Sequence, residues 1–385
     1  MFYLTFGIIV ILVVLSLAII CRISFYSPLV LSALIWSIVF SVGFVYQDIF
    51  NPITQQAFLM WLIWFLITSI IYFVFSQPFS LPIKKQLTYL PFNYSLIVVG
   101  LILWLCYRIL IVGSAGSEHF FLNLRLSSNQ LDGFESLGLI ERFYPLIFAF
   151  FLFENVNSCN KNRVQRFLLW SWMLIYAVAT MGKFAVLTPV LAWLIIKGLH
   201  KETSIKIIIA AAIVSFLLMV ALQFIRSGED DKFSLSQLIS IYIYSPIVAL
   251  GYMEISPDAV SGTYVFRFIY AVWYALFSSM PPEPTILPYV EIPFETNVYT
   301  VLQPFVHDFG AIGVVIGATI YGIVFGALFW FAQKGQKLSL ILYAALSIVI
   351  IGQFFGELLL TMFSGNLQLI VVATALVLFS KRATL

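Results

Sequence analysis

The sequence predicts an all-α polytopic integral membrane protein with about 11 transmembrane helices. Three observations support this fold class: 62% of the 385 residues are hydrophobic, only 10% are charged, and long apolar stretches recur along the chain. A helix needs about 20 predominantly apolar residues to cross a bilayer. The composition is too apolar for an ordinary soluble domain. The formal net charge is only +3 and the basic residues are dispersed, so we expect no nucleic-acid partner.

The expected spans are distributed over the whole chain. The first apolar stretch has neither a basic n-region before it nor a small-residue cleavage site after it, so we expect a retained membrane helix. No internal repeat or shift of composition divides the sequence, which favours a single transmembrane domain over residues 1–385. The expected spans cover residues 3–21, 28–46, 57–76, 95–113, 143–156, 167–180, 184–199, 206–225, 309–331, 338–361 and 366–380.

The Lys and Arg residues predict the orientation of the spans, because cytoplasmic loops retain basic residues. Most of the 20 Lys and Arg residues fall on the cytoplasmic side when the N-terminus is placed outside and the C-terminus in the cytoplasm. Two long loops, residues 114–142 and 226–307, then lie outside. The second loop contains two apolar stretches, residues 238–253 and 264–280. Crossing by one or both would violate the positive-inside pattern, so we expect interfacial or re-entrant helices there.

A polar, proline-containing segment over residues 291–313 leads into the ninth expected span. In so apolar a chain, a concentration of polar side chains indicates a candidate functional site. Glu295 and Asp308 flank the sequence Asn297-Val-Tyr-Thr300, and His307 precedes Asp308. Asp308 is expected either to cap the N-terminus of the ninth span or to act as a base. His307 is either a base or proton shuttle near neutral pH, or a structural hydrogen-bond donor.

Seven basic residues fall on the outer side or in the outer half of a helix and so oppose the topology signal, and four of them are candidates for a binding site: Arg125, Lys183, Arg226 and Arg267. Arginine presents a planar fork of donors that matches phosphate, and lysine supplies a compact charge. A group of them would suit the diphosphate of a lipid carrier. The alternative is that they snorkel to the interface or pair with acidic residues of the loops.

One carboxylate, Glu357, is expected inside the tenth span. An intramembrane carboxylate indicates a functional site, although pairing with Arg108 or protonation would also explain it. Glycines at helical spacing in the ninth span predict close helix packing. These glycines are Gly313, Gly317, Gly322 and Gly326.

Common cofactor and hydrolase motifs do not occur in the sequence. There is no phosphate-binding glycine loop, no His-Glu-x-x-His and no Gly-x-Ser-x-Gly. The three cysteines are too scattered for a disulfide framework, and no His or Cys cluster has metal-ligand spacing. We therefore expect neither a cofactor nor a metal.

The late outer loop resembles a known family. Asn297-Val-Tyr-Thr300, followed by His307-Asp-Phe-Gly310 and a glycine-spaced span, is similar to the corresponding loop of bacterial O-antigen or oligosaccharide repeat-unit polymerases of the Wzy type. Met181-Gly-Lys183 at a helix turn and Arg226-Ser-Gly228 at the start of the large loop support the resemblance, whose layout covers most of the chain. It implies a glycosyltransferase of lipopolysaccharide biosynthesis at the periplasmic face of the cell inner membrane. That enzyme joins oligosaccharide units carried on undecaprenyl diphosphate.

The resemblance also implies roles for the candidate residues. The four outer cations would hold the diphosphate or a sugar, and Asp308 or Glu295 would act as the catalytic base, with His307 as a third candidate. Asn297 and Tyr299 would hydrogen-bond to sugars or stack on them. The expected partners are the lipid-linked oligosaccharides, membrane lipid and a chain-length regulator protein.

Other functions remain open on the sequence alone. An O-antigen ligase uses the same donor chemistry with a different acceptor. A transporter or flippase of lipid-linked oligosaccharides is a second alternative, although transporters often show internal repeats. A membrane scaffold without chemistry is a third.

Overall fold

Helices form most of the chain in the computed structural model, which describes residues 1–77, 88–129, 133–157, 163–226, 235–253, 262–279, 281–284 and 287–382. Each expected span has a helix at its position. The helices are α1 Phe2–Ile20, α2 Pro28–Tyr46, α3 Gln55–Phe75, α4 Ser95–Ala115, α5 Phe120–Ser128, α6 Tyr144–Val156, α7 Arg163–Thr180, α8 Lys183–Leu199, α9 Ile205–Arg226, α10 Leu235–Ile243, α11 Ser245–Ala249, α12 Arg267–Phe277, α13 Gln303–Gln333, α14 Lys337–Ile351 and α15 Phe363–Phe379.

Within these described ranges, seven helical stretches are long and apolar enough to cross a membrane. They overlap α1, α2, α3, α4, α9, α13 and α14. The prediction of an all-α polytopic membrane protein is therefore confirmed. The number of spans and their orientation stay predictions.

Local sequence signals set the starts of the early helices. Ser27 precedes Pro28, and its hydroxyl accepts a hydrogen bond from the backbone N–H of Val30 at 3.2 Å. Thr54 does the same for Ala57 at 3.2 Å. These caps satisfy backbone donors that have no partner inside the helix, and a proline at the first helical position loses no bond.

The chain folds into two compact units, and each unit is assembled from separate parts of the sequence. The first comprises Met1–Leu81, Phe233–Phe331 and Val349–Ser364, and the second comprises Pro82–Lys232, Ala332–Ile348 and Gly365–Leu385. The polar segment over residues 291–313 belongs to the first unit.

The core of the first unit contains a buried amide. Gln353 Oε1 accepts hydrogen bonds from the indole N–H groups of Trp36 at 3.1 Å and Trp64 at 3.2 Å, and from the Ser32 hydroxyl at 3.4 Å. The backbone carbonyl of Gln353 accepts the N–H of Val301 at 2.7 Å. Buried polar groups need hydrogen-bond partners. Through Gln353, this network connects the chain just before α13 to side chains of α2 and α3.

Glycines let α13 pack closely in the way that the sequence predicts. Gly310 has φ 60° and ψ −140°, which breaks the helix into a short and a long part. A Cβ on Gly313 would lie 2.2 Å from the backbone oxygen of Phe305, so the two parts of α13 are in close contact. Cβ atoms on Gly322 and Gly326 would collide with side chains of α3 at 2.7 Å, so helix packing is confirmed.

The tenth expected span is shorter than predicted. The helix α14 ends at Ile351, a 3-10 turn covers Gly352–Phe354, and irregular chain follows before α15. Glu357 lies in this irregular chain, so the prediction that it sits inside a helix is wrong. Its carboxylate accepts the Tyr321 hydroxyl at 2.5 Å and the backbone N–H groups of residues 359–361 at 2.7–3.0 Å. This carboxylate therefore holds the turn that enters α15.

Arg108 was a candidate partner for Glu357. In the second unit its guanidinium instead contacts Glu135 at 2.9 Å and the backbone oxygens of Ser136 at 2.5 Å and Leu137 at 3.2 Å. These contacts explain how the apolar helix α4 can contain a basic residue, because the Arg108 guanidinium is paired with the Glu135 carboxylate.

The long loop after α9 contains helices that are too short to span a bilayer. At about 1.5 Å per residue, the 11 residues of α12 extend about 16 Å, against a hydrocarbon core of about 30 Å. Against the described part of the chain, no residue of α12 is buried, and its apolar side chains are largely exposed. The lengths agree with the expectation of non-spanning helices, while their placement at the interface stays a prediction.

The second unit contains a polar cluster around Lys337, at the start of α14. Its ammonium group donates to Asn157 Oδ1 at 2.5 Å and to the Thr88 hydroxyl, and it lies 4.0 Å from the ring centre of Phe153. The Thr88 hydroxyl also donates to Asn157 Oδ1 at 2.9 Å. Thr88 belongs to β1, Thr88–Tyr89, which pairs antiparallel with Lys381–Arg382 near the end of the chain.

Replacing Lys337 with Met should destabilise the protein by about 1–3 kcal/mol, because the cluster would lose its charged donor and its cation–π contact. Thermal unfolding in detergent would measure the change. Lys206, exposed at the start of α9, provides the matched control, and K206M should change stability by no more than about 0.5 kcal/mol. Equal thermal midpoints for the two variants would contradict a stabilising role for the cluster.

Candidate functional site

The segment over residues 291–313 begins as a small hairpin and ends in a broken helix. The two-residue strands β2, Val290–Glu291, and β3, Glu295–Thr296, pair antiparallel, with Glu291 opposite Glu295. Extended chain then runs to Thr300, whose hydroxyl accepts the N–H of Leu302 at 3.4 Å just before α13. The hairpin and the short part of α13 therefore bracket the polar residues.

A cavity of about 270 Å³ lies against this segment. Four of its lining residues are tyrosines, and the lining also includes Glu291 from the hairpin and His307 from α13. The lining residues are Tyr252, Met253, Tyr264, Pro288, Tyr289, Val290, Glu291, Tyr299, Gln303 and His307. Aromatic faces with a few polar groups are the usual lining of a small-molecule site.

His307 and Asp308 form a hydrogen-bonded pair at the wall of the cavity. The distance between His307 Nδ1 and Asp308 Oδ1 is 3.0 Å, and the side chains are 11% and 0% exposed, respectively. An ionised carboxylate can only accept, so in the neutral imidazole this contact places the proton on Nδ1 and the lone pair on Nε2. Nε2 has no hydrogen-bond partner among the described residues. The imidazole ring is also held edge-on by Tyr264, with ring centres 4.5 Å apart.

Asp308 is anchored on its other side by a separate segment. Its Oδ2 accepts the backbone N–H groups of Tyr264 at 3.1 Å and Val265 at 2.8 Å. The expectation that Asp308 caps the ninth span is wrong, because both backbone donors come from the turn before α12. The carboxylate is buried and carries three hydrogen bonds, so the group of this pair that faces the cavity is the imidazole.

Two tyrosines of the cavity wall, Tyr264 and Tyr299, are held in neutral form. Burial, and then the negative charges of Glu283 and Asp308, raise the pKa of Tyr264. Burial, and then Tyr264, raise the pKa of Tyr299 to about 12. The Tyr299 hydroxyl donates to the backbone oxygen of Pro288 at 2.8 Å. These residues can offer ring faces and neutral hydroxyls, but they do not supply a base near neutral pH.

The carboxylate candidate Glu295 and the amide candidate Asn297 do not line the cavity. Glu295 is exposed on β3 and is not among the lining residues, whereas its strand partner Glu291 is. Asn297 is half-buried in the extended chain and also lies outside the lining set. Sequence reasoning did not single out Glu291 as a site residue. The hairpin that pairs Glu291 with Glu295 was not predicted.

Arg267 is the cation of this group that belongs to the same unit as His307. It begins α12, is half-buried, and its Nε donates to the backbone oxygen of Glu283 at 2.7 Å. Its position directly after the turn held by Asp308 keeps it near the site, although it does not line the cavity.

The remaining cations belong to the second unit. Arg125 lies on α5, where its Nη1 is 3.5 Å from the Ser128 hydroxyl. That hydroxyl donates to the backbone oxygen of Thr180, which joins the end of α5 to the end of α7. Lys183 begins α8 after a residue of positive φ, Met181. Arg226 ends α9, and its side chain lies outside the described residues.

Tyr264 and Gln303 are further lining residues that the sequence did not indicate. Tyr264 packs edge-on against His307, and the buried Gln303 lines the cavity at the start of α13. No local signal identifies Tyr264, because it lies more than 40 positions from its partner along the chain. Over the described ranges, His, Cys, Asp and Glu do not form a group of three or more that could hold a metal ion.

No family model, curated protein or solved structure matches this chain. The site therefore has to be interpreted from its own geometry.

Proposed function

We propose that this chain is an O-antigen or oligosaccharide repeat-unit polymerase, a glycosyltransferase that joins undecaprenyl-diphosphate-linked units at the periplasmic face of the bacterial inner membrane. The observation that carries the proposal is the His307–Asp308 pair at the wall of a tyrosine-lined cavity in a polytopic membrane protein. The resemblance of the same segment to Wzy-type polymerases also supports it.

His307 is the base in the proposed reaction. Its Nε2 takes the proton from a hydroxyl of the acceptor sugar as that oxygen attacks the anomeric carbon of the growing chain. The new glycosidic C–O bond forms while the bond from the anomeric carbon to the diphosphate breaks, and undecaprenyl diphosphate leaves with the bonding electrons. The proton on the imidazolium then passes to solvent. A single displacement inverts the anomeric configuration.

Asp308 is a positioning residue in this mechanism. Its buried carboxylate selects the Nδ1–H tautomer and favours the imidazolium that forms when Nε2 accepts a proton, as in Ser-His-Asp enzymes. The backbone N–H groups of Tyr264 and Val265 keep that carboxylate in place. The base is therefore pre-oriented before substrate binds.

The cavity suits one end of a glycan. At about 270 Å³ it is slightly smaller than the roughly 300–1,000 Å³ of typical small-molecule sites, so it would take a terminal sugar and leave the rest of the unit outside. Tyrosine faces stack on the apolar face of a sugar ring, and the neutral hydroxyls can hydrogen-bond to it.

The donor diphosphate needs positive charge, because it is the leaving group. Arg267 in the first unit and Arg125, Lys183 and Arg226 in the second unit are the candidates. Asn297, in the extended chain after β3, remains a candidate for a hydrogen bond to a sugar. Glu295, which is exposed and outside the lining set, has no role in this mechanism.

Deleting the gene in its source organism tests the proposal, because the native sugars are then present. The polymerase predicts lipopolysaccharide with a single repeat on the core, restored to a ladder by the intact gene. A core without any repeat would indicate a ligase instead. An unchanged ladder would contradict both, and an accumulation of lipid-linked repeats on the cytoplasmic leaflet would indicate a flippase.

A further inference from the structure

The cavity that contains His307 lies in a negatively charged environment. Glu291 lines the cavity, and Glu295 stands opposite it in the strand register. Asp308 lies directly behind the imidazole at 3.0 Å. Glu283 is close enough to Tyr264 to raise the pKa of that phenol together with Asp308. One carboxylate, Glu291, therefore lines the cavity, and three more lie next to residues that line it.

Positive charge does not balance them at the cavity wall. Among the described residues that line the cavity, none is Lys or Arg. Arg267 is the nearby cation, and its Nε is bonded to the backbone oxygen of Glu283 at 2.7 Å. Its charge lies beside Glu283 and outside the lining set, while Glu291 faces the cavity directly.

This charge distribution has a direct consequence for ligands. A negative group in the cavity would meet the charge of Glu291, with the buried Asp308 carboxylate behind the imidazole. A neutral sugar meets no such cost, and an ammonium group would gain a partner. Because Glu291 is exposed, the effect should be moderate and should weaken with salt.

We propose that this cavity is an acceptor-sugar site that takes neutral or amino sugars and rejects sugars bearing a carboxylate, with Glu291 as the residue that determines this specificity. The inference rests on the proposed function, since it assumes that the cavity binds a sugar. The same charges exclude the donor diphosphate from the cavity. The donor must therefore be held by cations elsewhere, and the cavity receives the non-reducing end of the incoming unit.

Three matched ligands test the proposal: methyl glucoside, methyl glucuronide and methyl glucosaminide. Each would be titrated into the purified full-length protein in lipid nanodiscs, with binding followed by saturation-transfer NMR. We expect the glucuronide to bind about 3- to 10-fold more weakly than the glucoside at low salt, and the difference to shrink at about 0.5 M salt. The glucosaminide should bind at least as well as the glucoside.

Variants of the two hairpin carboxylates identify the responsible group. Glu291→Gln should bring the glucuronide to within about 2-fold of the glucoside, because it removes the charge that faces the cavity. Glu291→Asp keeps the charge and should keep most of the discrimination. Glu295→Gln is the matched control, since it removes a charge from the same hairpin at a residue that does not line the cavity.

The outcomes separate this inference from the proposed function. Equal binding of glucuronide and glucoside, or discrimination that survives Glu291→Gln, would overturn the specificity proposal while leaving a sugar-binding enzyme. If none of the three sugars binds to the wild-type protein, the acceptor site and the proposed function both fail.

Discussion

Replacing Asp308 with Asn should reduce chain elongation by at least about 100-fold while the protein stays folded. The amide oxygen of Asn can still accept the N–H groups of Tyr264 and Val265, which leaves its NH₂ group facing His307 Nδ1. The imidazole must then accept at Nδ1 and carry its proton on Nε2. The proposed base at the cavity wall is thereby lost, although the His307 side chain is still present.

The measurement is the rate of elongation of lipid-linked repeats by purified protein. In the proposed mechanism Asp308 acts through His307, so kcat should fall while the KM for the acceptor changes little. His307→Ala should lose activity to a similar extent and should regain part of it with added imidazole, because the small molecule can occupy the vacated volume. Glu295→Gln, which alters an exposed carboxylate of the same segment, should retain activity within a few-fold of wild type.

Two results would overturn this assignment. Near-normal elongation by Asp308→Asn would reduce Asp308 to an anchor for the turn before α12. Loss of activity in Glu295→Gln, together with an active His307→Ala, would return the role of base to the hairpin carboxylate.

Gly313→Ala should prevent the native packing of α13 and cause the largest loss of folded protein among single methyl additions in this helix. The new Cβ would lie 2.2 Å from the backbone oxygen of Phe305 and 2.8 Å from the Cβ of Phe309. Backbone atoms cannot move aside as a flexible side chain can, so the two parts of α13 would have to separate. We expect a destabilisation of about 3 kcal/mol or more, at the upper end for overpacking.

Gly100→Ala provides the control for Gly313→Ala. Gly100 also lies in an apolar membrane-length helix, α4, but a Cβ there would meet none of the described atoms within 4 Å. Alanine is a better helix former than glycine, so this variant should be neutral or slightly more stable. Thermal unfolding and the yield of monodisperse protein in detergent would compare the two, and similar behaviour would contradict the close packing at Gly313.

Hydropathy predicts the helices of this chain well, because a bilayer imposes a length of apolar sequence that is visible without any contacts. It fails where apolar residues do not form a helix. The tenth expected span runs to residue 361 because Phe354, Phe355 and residues 358–360 are apolar. Hydropathy cannot distinguish a helix from irregular chain that is buried in protein, which is tolerated when partners such as Glu357 satisfy the backbone.

The candidate site shows a different limit of sequence reasoning. Composition is enough to locate the segment over residues 291–313, and Tyr299 and His307 are among the site residues that the sequence predicts. The relation between His307 and Asp308 is not predictable in this way, since it depends on Tyr264 and Val265, more than 40 positions away. From the sequence alone, Asp308 is interpreted as a helix cap or as a base. In the structure its carboxylate accepts the N–H groups of Tyr264 and Val265 and contacts the imidazole of His307.

The turn held by Asp308 continues directly into α12, whose apolar side chains are largely exposed against the described part of the chain. In a bilayer those side chains would contact lipid, so the depth of α12 would depend on the thickness and lateral pressure of the membrane around it. A displacement of α12 would act on the N–H groups that hold the Asp308 carboxylate and, through it, on the tilt of the imidazole. The surrounding lipid would then influence the geometry of the proposed base.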